Sequence, residues 1–83
     1  MKYTKNFPNK LLNERFKFAY DNTNSADDDG LHYAVFRKGN IECTIEHSPE
    51  RKVIFNIVDS DINLNIKSIE DLRKANQLIN PRR

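Results

Sequence analysis

The clearest pattern along this chain is a strict alternation of apolar and polar residues near its centre. Between positions 41 and 47, the apolar residues Ile41, Cys43 and Ile45 alternate with polar ones. A period of two predicts a strand with one buried face. A similar stretch at 31–38 precedes it, and Gly39-Asn40 separates the two. This arrangement is typical of a tight hairpin, because glycine readily adopts the positive φ that such turns need.

The facing residues of this hairpin support one register. With Gly39-Asn40 as the two-residue loop, Phe36 faces Cys43 on the apolar side. On the polar side, Arg37 faces Glu42. Apolar side chains then meet each other and opposite charges meet, which is how cross-strand pairs stabilise a sheet.

A third strand is predicted at 52–58, after a turn that contains Pro49. It continues the same buried face. Ile62, Leu64 and Ile66 alternate again, which indicates either a short fourth strand or an extended lead into a helix. The middle of the chain is therefore predicted to be an antiparallel meander.

The pattern changes to helical spacing near the end of the chain, at about 69–79. Ser68 and Asp71 have the spacing of a capping box, in which side-chain oxygens accept from free backbone N–H groups at the helix start. Leu72 and later apolar residues recur on one side of the helix. Asn80-Pro81 ends the pattern.

The first twenty residues fit two structures. Phe16 and Tyr20 would share one side of a helix, but together with Phe18 they also alternate as in a strand. We predict a short turn or helix at 8–13, followed by a strand at 15–20.

These patterns together predict an α+β fold. It is an antiparallel β-meander of three to four strands with a C-terminal α-helix packed on one face, and its N-terminal segment is helix or strand. With 83 residues, of which 37% are hydrophobic, the chain is expected to form a single small domain over 1–83 with a thin core. A homodimer would bury more apolar surface and is an open alternative. Residues 1–30 are the least defined part, and the aspartate-rich stretch at 21–30 predicts a mobile acidic loop.

The composition of the chain bears on its binding partners and its cellular location. The net charge of +2 is too balanced to indicate nucleic acid by itself. Cys43 is the only cysteine, so no disulfide within the chain is possible, and a cytoplasmic location is expected. No apolar run has the length of a signal peptide or a membrane helix, so we expect no membrane partner.

One acidic stretch partly matches a calcium loop. Ser25, Asp27 and Asp29 followed by Gly30 reproduce the start of an EF-hand loop. The twelfth position, where that loop needs a bidentate glutamate, holds Phe36. A solvated acidic loop is therefore the better interpretation.

A second group is a candidate for zinc binding or for acid–base chemistry. His32 and His47 face each other in the predicted hairpin, and Cys43 lies two pairs away. Cys43, however, belongs to the apolar face, where a free cysteine usually acts as a small apolar residue. We predict no metal, no cofactor and no enzymatic activity.

The element order offers one resemblance to a known family. If the first segment is a helix, the order α-β-β-β-α is that of the double-stranded-RNA-binding domain, and Leu11-Leu12-Asn13-Glu14 resembles the start of that family's first helix. The resemblance implies a basic run at the start of the last helix, where the family contacts phosphates. This chain has Ser68-Ile69-Glu70-Asp71 there, which would repel phosphate.

Basic residues are nevertheless concentrated near both ends of the chain. RNA or DNA binding is therefore the alternative function, through phosphate contacts. Its candidate residues are Lys2, Lys5, Lys10, Arg15, Lys17, Arg82 and Arg83.

The leading prediction is a non-enzymatic protein-binding module. Tyr33, Val35, Ile54 and Val58 fall on the sheet face opposite the apolar stripe. Apolar residues on a polar face mark a docking surface, unless the N-terminal helix covers them.

The sequence does not identify the partner protein. Small size, the lack of catalytic groups and a composition rich in Asn, Lys and Ile favour an accessory protein of a phage or mobile element. Such a protein would inhibit or regulate a host factor, for example a defence nuclease.

Overall fold

The computed structural model describes residues 1–21, 32–47 and 51–80. These residues form two helices and five strands in the order α-β-β-β-β-β-α. The elements are α1 (Phe7–Asn13), β1 (Lys17–Asp21), β2 (Tyr33–Lys38), β3 (Ile41–Glu46), β4 (Val53–Ile57), β5 (Asn63–Leu64) and α2 (Ile69–Ile79). The double-stranded-RNA-binding domain has the order α-β-β-β-α. This chain differs from it by two additional strands, β1 and β5, which flank the predicted hairpins.

All five strands belong to one antiparallel sheet in the order β1-β2-β3-β4-β5. This confirms the predicted α+β fold with an antiparallel meander and a C-terminal helix. The N-terminal segment is both helix and strand, because α1 ends at Asn13 and β1 begins at Lys17. Neither α1 nor α2 has the length and apolar character needed to span a bilayer.

The register of the central hairpin is the predicted one. Phe36 pairs with Cys43 and Arg37 pairs with Glu42. The Arg37 Nε donates to the Glu42 Oε2 over 3.0 Å, so the predicted meeting of opposite charges forms an ion pair. Phe55 of β4 lies on the other side of Cys43. Alternation and turn length were sufficient to set this register.

The core lies on one face of the sheet, and both helices pack there. Phe7 and Leu11 of α1 and Leu72 of α2 are buried in the same cluster as the apolar residues of β2, β3 and β4. The spacing of Phe7 and Leu11 gives α1 one apolar side. The alternative in which the N-terminal helix covers the opposite face is therefore wrong. The described elements make two layers, helices on a sheet.

The edge strand β1 contains an irregularity. Phe18 pairs with Phe36, but Tyr20 pairs with Val35, so Ala19 has no opposite residue of its own. One extra residue in a strand is a β-bulge, and it reverses the alternation beyond that point. Tyr20 therefore lies on the face opposite the helices, while Phe18 contacts Phe36 on the helix side with ring centroids 5.6 Å apart.

The two helices begin differently. In α2, the Ser68 hydroxyl accepts from the Asp71 N–H over 3.2 Å, as predicted. The Asp71 carboxylate accepts from the Lys67 N–H over 3.1 Å, one residue before the position that a capping box would use. In α1, the Asn6 side chain makes no cap hydrogen bond, and Pro8 lies in the first turn, where its missing N–H costs nothing.

Candidate functional site

The single cysteine lies where the alternation predicts. Cys43 has no exposed surface and is held between Phe36 on β2 and Phe55 on β4. Burial raises the pKa of the Cys43 thiol to about 12. A thiol in this environment stays protonated at neutral pH, and the thiolate is the form that attacks an electrophile or binds a metal.

The two histidines pair through their backbones. The His47 N–H donates to the His32 carbonyl oxygen over 2.8 Å, which continues the β2–β3 ladder by one pair. The His47 Nδ1 lies 3.1 Å from a guanidinium nitrogen of Arg51, whose guanidinium also covers the Tyr3 ring at 5.2 Å. Among the described residues, no three His, Cys, Asp or Glu side chains are grouped to hold a metal ion. The acidic loop was predicted at 21–30, but Asp21 is the last residue of β1. The rest of that loop and the partial EF-hand match at 25–30 fall on residues that the structure does not describe.

Three of the four predicted protein-binding residues lie on the face opposite the helices. Tyr33 pairs with Glu46, and both Val35 and Ile54 pair with Thr44. Paired residues in an antiparallel sheet point to the same side. Val58 follows the end of β4 and is half-buried. We call this surface the open face.

Burial on the open face differs from the prediction at its centre. Val35 is only 1% exposed, so it contributes packing instead of contact surface. Tyr20 and Thr44 lie beside it on the neighbouring strands. Tyr33 and Ile54 are half-buried.

Tyr20 also belongs to the open face and was not among the residues predicted for it. Its side chain is 43% exposed, and its ring lies edge-on to that of Tyr33 with centroids 6.4 Å apart. The Arg37 guanidinium lies over the Tyr20 ring, 5.6 Å from its centroid. Regular alternation from Phe18 would put Tyr20 on the helix side, and the bulge at Ala19 reverses this.

The predicted nucleic-acid residues that the structure describes do not form one surface. Lys2 lines a cleft with Arg51 and Lys52, whereas Arg15 lines a different groove.

The other predicted residues lie elsewhere. Lys17 pairs with Arg37, which places it on the open face. Lys5 and Lys10 are exposed, on the segment before α1 and on α1 itself. Arg82 and Arg83 lie outside the described residues.

The groove that contains Arg15 has a volume of about 890 Å³, and we call it the end groove. It lies where the end of α1, the β2–β3 turn and one side of α2 meet. Its lining residues are Arg15, Lys38, Gly39, Arg73, Asn76, Gln77 and Asn80.

The walls of the end groove are held together by contacts between distant parts of the chain. The Asn80 side chain accepts from the Asn40 N–H and donates to the Lys38 carbonyl oxygen, both over 2.8 Å. The Lys38 Nζ donates to the Glu14 carbonyl oxygen over 2.7 Å. These bonds connect the hairpin turn to the ends of both helices.

One carboxylate lies beside the groove and is already paired. Glu14 accepts from Arg73 through both oxygens, at 2.8 and 3.1 Å. The hydrogen bonds from Arg73 hold the pKa of the Glu14 carboxyl below its ordinary value. Glu14 is therefore ionised at neutral pH and compensates one of the groove's cations.

Comparison with known proteins gives no relative. No protein-family model, no curated protein and no solved structure matches the chain.

Proposed function

We propose that this protein is a non-enzymatic protein-binding module, and that it contacts its partner through the open face of the sheet. The observation that carries the proposal is that α1 and α2 pack on the same side. Tyr20, Tyr33 and Ile54 lie on the other side, where no described helix covers the sheet.

The residue types on the open face suit protein recognition. Tyr and Arg are enriched among the residues that dominate binding energy at protein interfaces. Here Tyr20, Tyr33 and Arg37 form one connected group, because the two rings contact each other and the guanidinium lies over Tyr20.

These side chains are also held in place before binding. Arg37 is fixed by its ion pair with Glu42 as well as by the Tyr20 ring. A side chain that is already ordered loses less conformational entropy when a partner binds. The partner chemistry that fits is a folded protein surface with an apolar patch flanked by polar groups.

The biological setting proposed here is the one that composition favours. The protein would act as an accessory factor of a phage or mobile element, with a host protein as the partner. The buried, protonated Cys43 supports a binding function over a nucleophilic one.

The test compares capture of host proteins by matched variants. Tyr33→Ala removes an aromatic ring from the open face, and Ile54→Thr removes apolar surface but keeps the β-branched shape that suits a strand. Leu78→Ala is the control, because Leu78 is 84% exposed on α2. We expect a host protein to be captured equally by wild type and Leu78→Ala, and at least about fivefold less by Tyr33→Ala and Ile54→Thr, since truncating a residue that contributes to an interface costs about 1 kcal/mol or more.

Circular dichroism of each variant separates loss of binding from loss of fold. If all four proteins are folded and capture the host protein equally, the open face is not the contact surface.

A further inference from the structure

The end groove lies on the helix side of the molecule, away from the open face, and its chemistry is different. Three cationic side chains line it: Arg15, Lys38 and Arg73. Among the described residues, Glu14 accepts from Arg73 through both of its oxygens, and the charge of Glu70 also acts on Arg73. Neither Arg15 nor Lys38 forms an ion pair with a carboxylate in the part of the chain that the structure describes. The groove therefore has an excess of positive charge.

Helix α2 contributes a stripe of donors to the groove. Arg73, Asn76 and Gln77 are spaced i, i+3 and i+4, so they lie along one side of the helix, and the C-cap residue Asn80 also lines the groove. The Asn80 amide is used within the fold, and the Asn76 Oδ1 accepts from it over 3.1 Å. The N–H groups of Asn76 and Gln77 add neutral donors beside the cations.

The cations are positioned by the fold. Lys38 is held by one bond to a backbone carbonyl oxygen, which leaves two of its three ammonium donors for a ligand. Arg73 is held by Glu14. Arg15 has a positive φ of 69°, so the backbone turns sharply between the end of α1 and β1. The structure gives this guanidinium no carboxylate partner among the described residues.

We infer that the end groove binds phosphate groups. Arginine, lysine and amide N–H donors grouped in one open groove match the several acceptor oxygens and the charge of a phosphate. Phosphates along a nucleic-acid strand and phosphate on a small molecule share this chemistry. The inference goes beyond the proposed function and does not depend on it, because the two surfaces lie on different sides of the sheet.

The first test removes one charge without disturbing the turn. Arg15→Asn is the variant of choice, because Asn tolerates positive φ better than most residues. Lys52→Gln is the control with the same net charge, since Lys52 lies in the other basic cleft. Binding of a fluorescein-labelled twelve-nucleotide single strand is measured by anisotropy at several salt concentrations. We expect Arg15→Asn to weaken binding and to reduce the slope of log K against log salt by about 0.7 for each phosphate that the variant no longer neutralises.

The second test raises the charge of the groove. Glu14→Gln keeps a carbonyl oxygen for Arg73 but removes the compensating negative charge. We expect tighter binding than wild type at low salt, the opposite of Arg15→Asn. If the wild-type protein binds the oligonucleotide, equal weakening by Arg15→Asn and Lys52→Gln, or no tightening by Glu14→Gln, would overturn the inference, since the attraction would then be general and not located in this groove.

Further probes identify the source of the phosphate. Inorganic phosphate and pyrophosphate are titrated while the amide NMR signals of Arg15, Gly39 and Asn80 are followed. Oligonucleotide binding without small-phosphate binding supports a nucleic-acid strand, and shifts with pyrophosphate alone support a small phosphate ester. Binding of neither probe overturns the inference. Competition by poly-L-glutamate as strong as that by the oligonucleotide also overturns it, because the groove would then not select phosphate.

Discussion

At the scale of single residues, Cys43 shows how strongly position determines chemistry. It lies on the central strand with aromatic residues on both neighbouring strands, and it has no exposed surface. Burial raises the pKa of its thiol from an ordinary value of 9.0 to about 12, because a thiolate would lose its solvation there. The folded state therefore keeps the proton at a pH where the unfolded state releases it.

This difference predicts a pH dependence of stability. Below pH 9 both states are protonated, so Cys43 makes its full contribution to the free energy of unfolding. Above pH 9 the unfolded state ionises, and the contribution of Cys43 falls by about 1.4 kcal/mol per pH unit until the folded thiol also ionises. We expect the stability advantage of wild type over Cys43→Ala to shrink accordingly between pH 8 and 10.5.

Urea denaturation of both proteins across that range measures the effect. Other titrating groups cancel in the difference between wild type and variant. A difference that stays constant with pH would show that the thiol is solvated in the folded protein.

At the scale of elements, the sequence predicts a feature when the residues that determine it are close together in the chain. The β2–β3 turn, the alternation of β3 and the Ser68 cap of α2 all act within a few positions, and each was predicted correctly. The carboxylate half of the capping box was predicted wrongly, because Asp71 accepts from the Lys67 N–H and not from the Ser68 N–H. The predicted turn at Pro49 lies outside the described residues.

The sheet face that α1 packs against was not predicted, because periodicity identifies the apolar side of a helix but not the surface that it meets. The bulge at Ala19 has no local signature either, so Tyr20 was not among the residues predicted for the open face.

The β2–β3 turn and the end of α2 constrain each other. Gly39 has a φ of +58°, and a Cβ at that position would clash with the side-chain amide of Asn80. Gly39→Ala therefore carries two costs. Left-handed backbone costs an L-residue about 1–2 kcal/mol, and the clash adds to it.

A double-mutant cycle separates the two costs. We expect Gly39→Ala to destabilise an Asn80→Ala background less than it destabilises wild type, because the clash is absent there. The measurement is the free energy of unfolding of all four proteins in urea. Additive costs would mean that the turn and the helix end do not contact each other in solution.

At the scale of the whole molecule, the architecture is one-sided. Every residue of the buried core cluster lies between the sheet and the two helices or at the ends of those elements. The open face was partly predicted, since Tyr33 and Ile54 follow directly from alternation. The end groove was not predicted, because Arg15, Lys38 and Arg73 come from three parts of the chain far apart in sequence and only the fold brings them together.

Two leucines of α2 test the one-sided architecture. Leu72 is 1% exposed in the core, whereas Leu78 is 84% exposed six residues later. We expect Leu72→Ala to lower the free energy of unfolding by about 2–5 kcal/mol, and Leu78→Ala to change it by less than about 0.5 kcal/mol. Thermal and urea denaturation measure both changes. A large loss in Leu78→Ala would reveal a second contact for this helix, for example with another copy of the chain.

The bulge in β1 also makes the strands unequal in their tolerance of length changes. Because Ala19 faces no residue of β2, a chain lacking it could keep Phe18 opposite Phe36 and Tyr20 opposite Val35, as neighbours in a regular pleat. The same one-residue loss within β3 would reverse the alternation beyond the missing residue, so that polar residues such as Thr44 and Glu46 would turn to the helix side. Insertions and deletions that arise in descendants of this protein should therefore accumulate at the sheet edge and be eliminated at its centre.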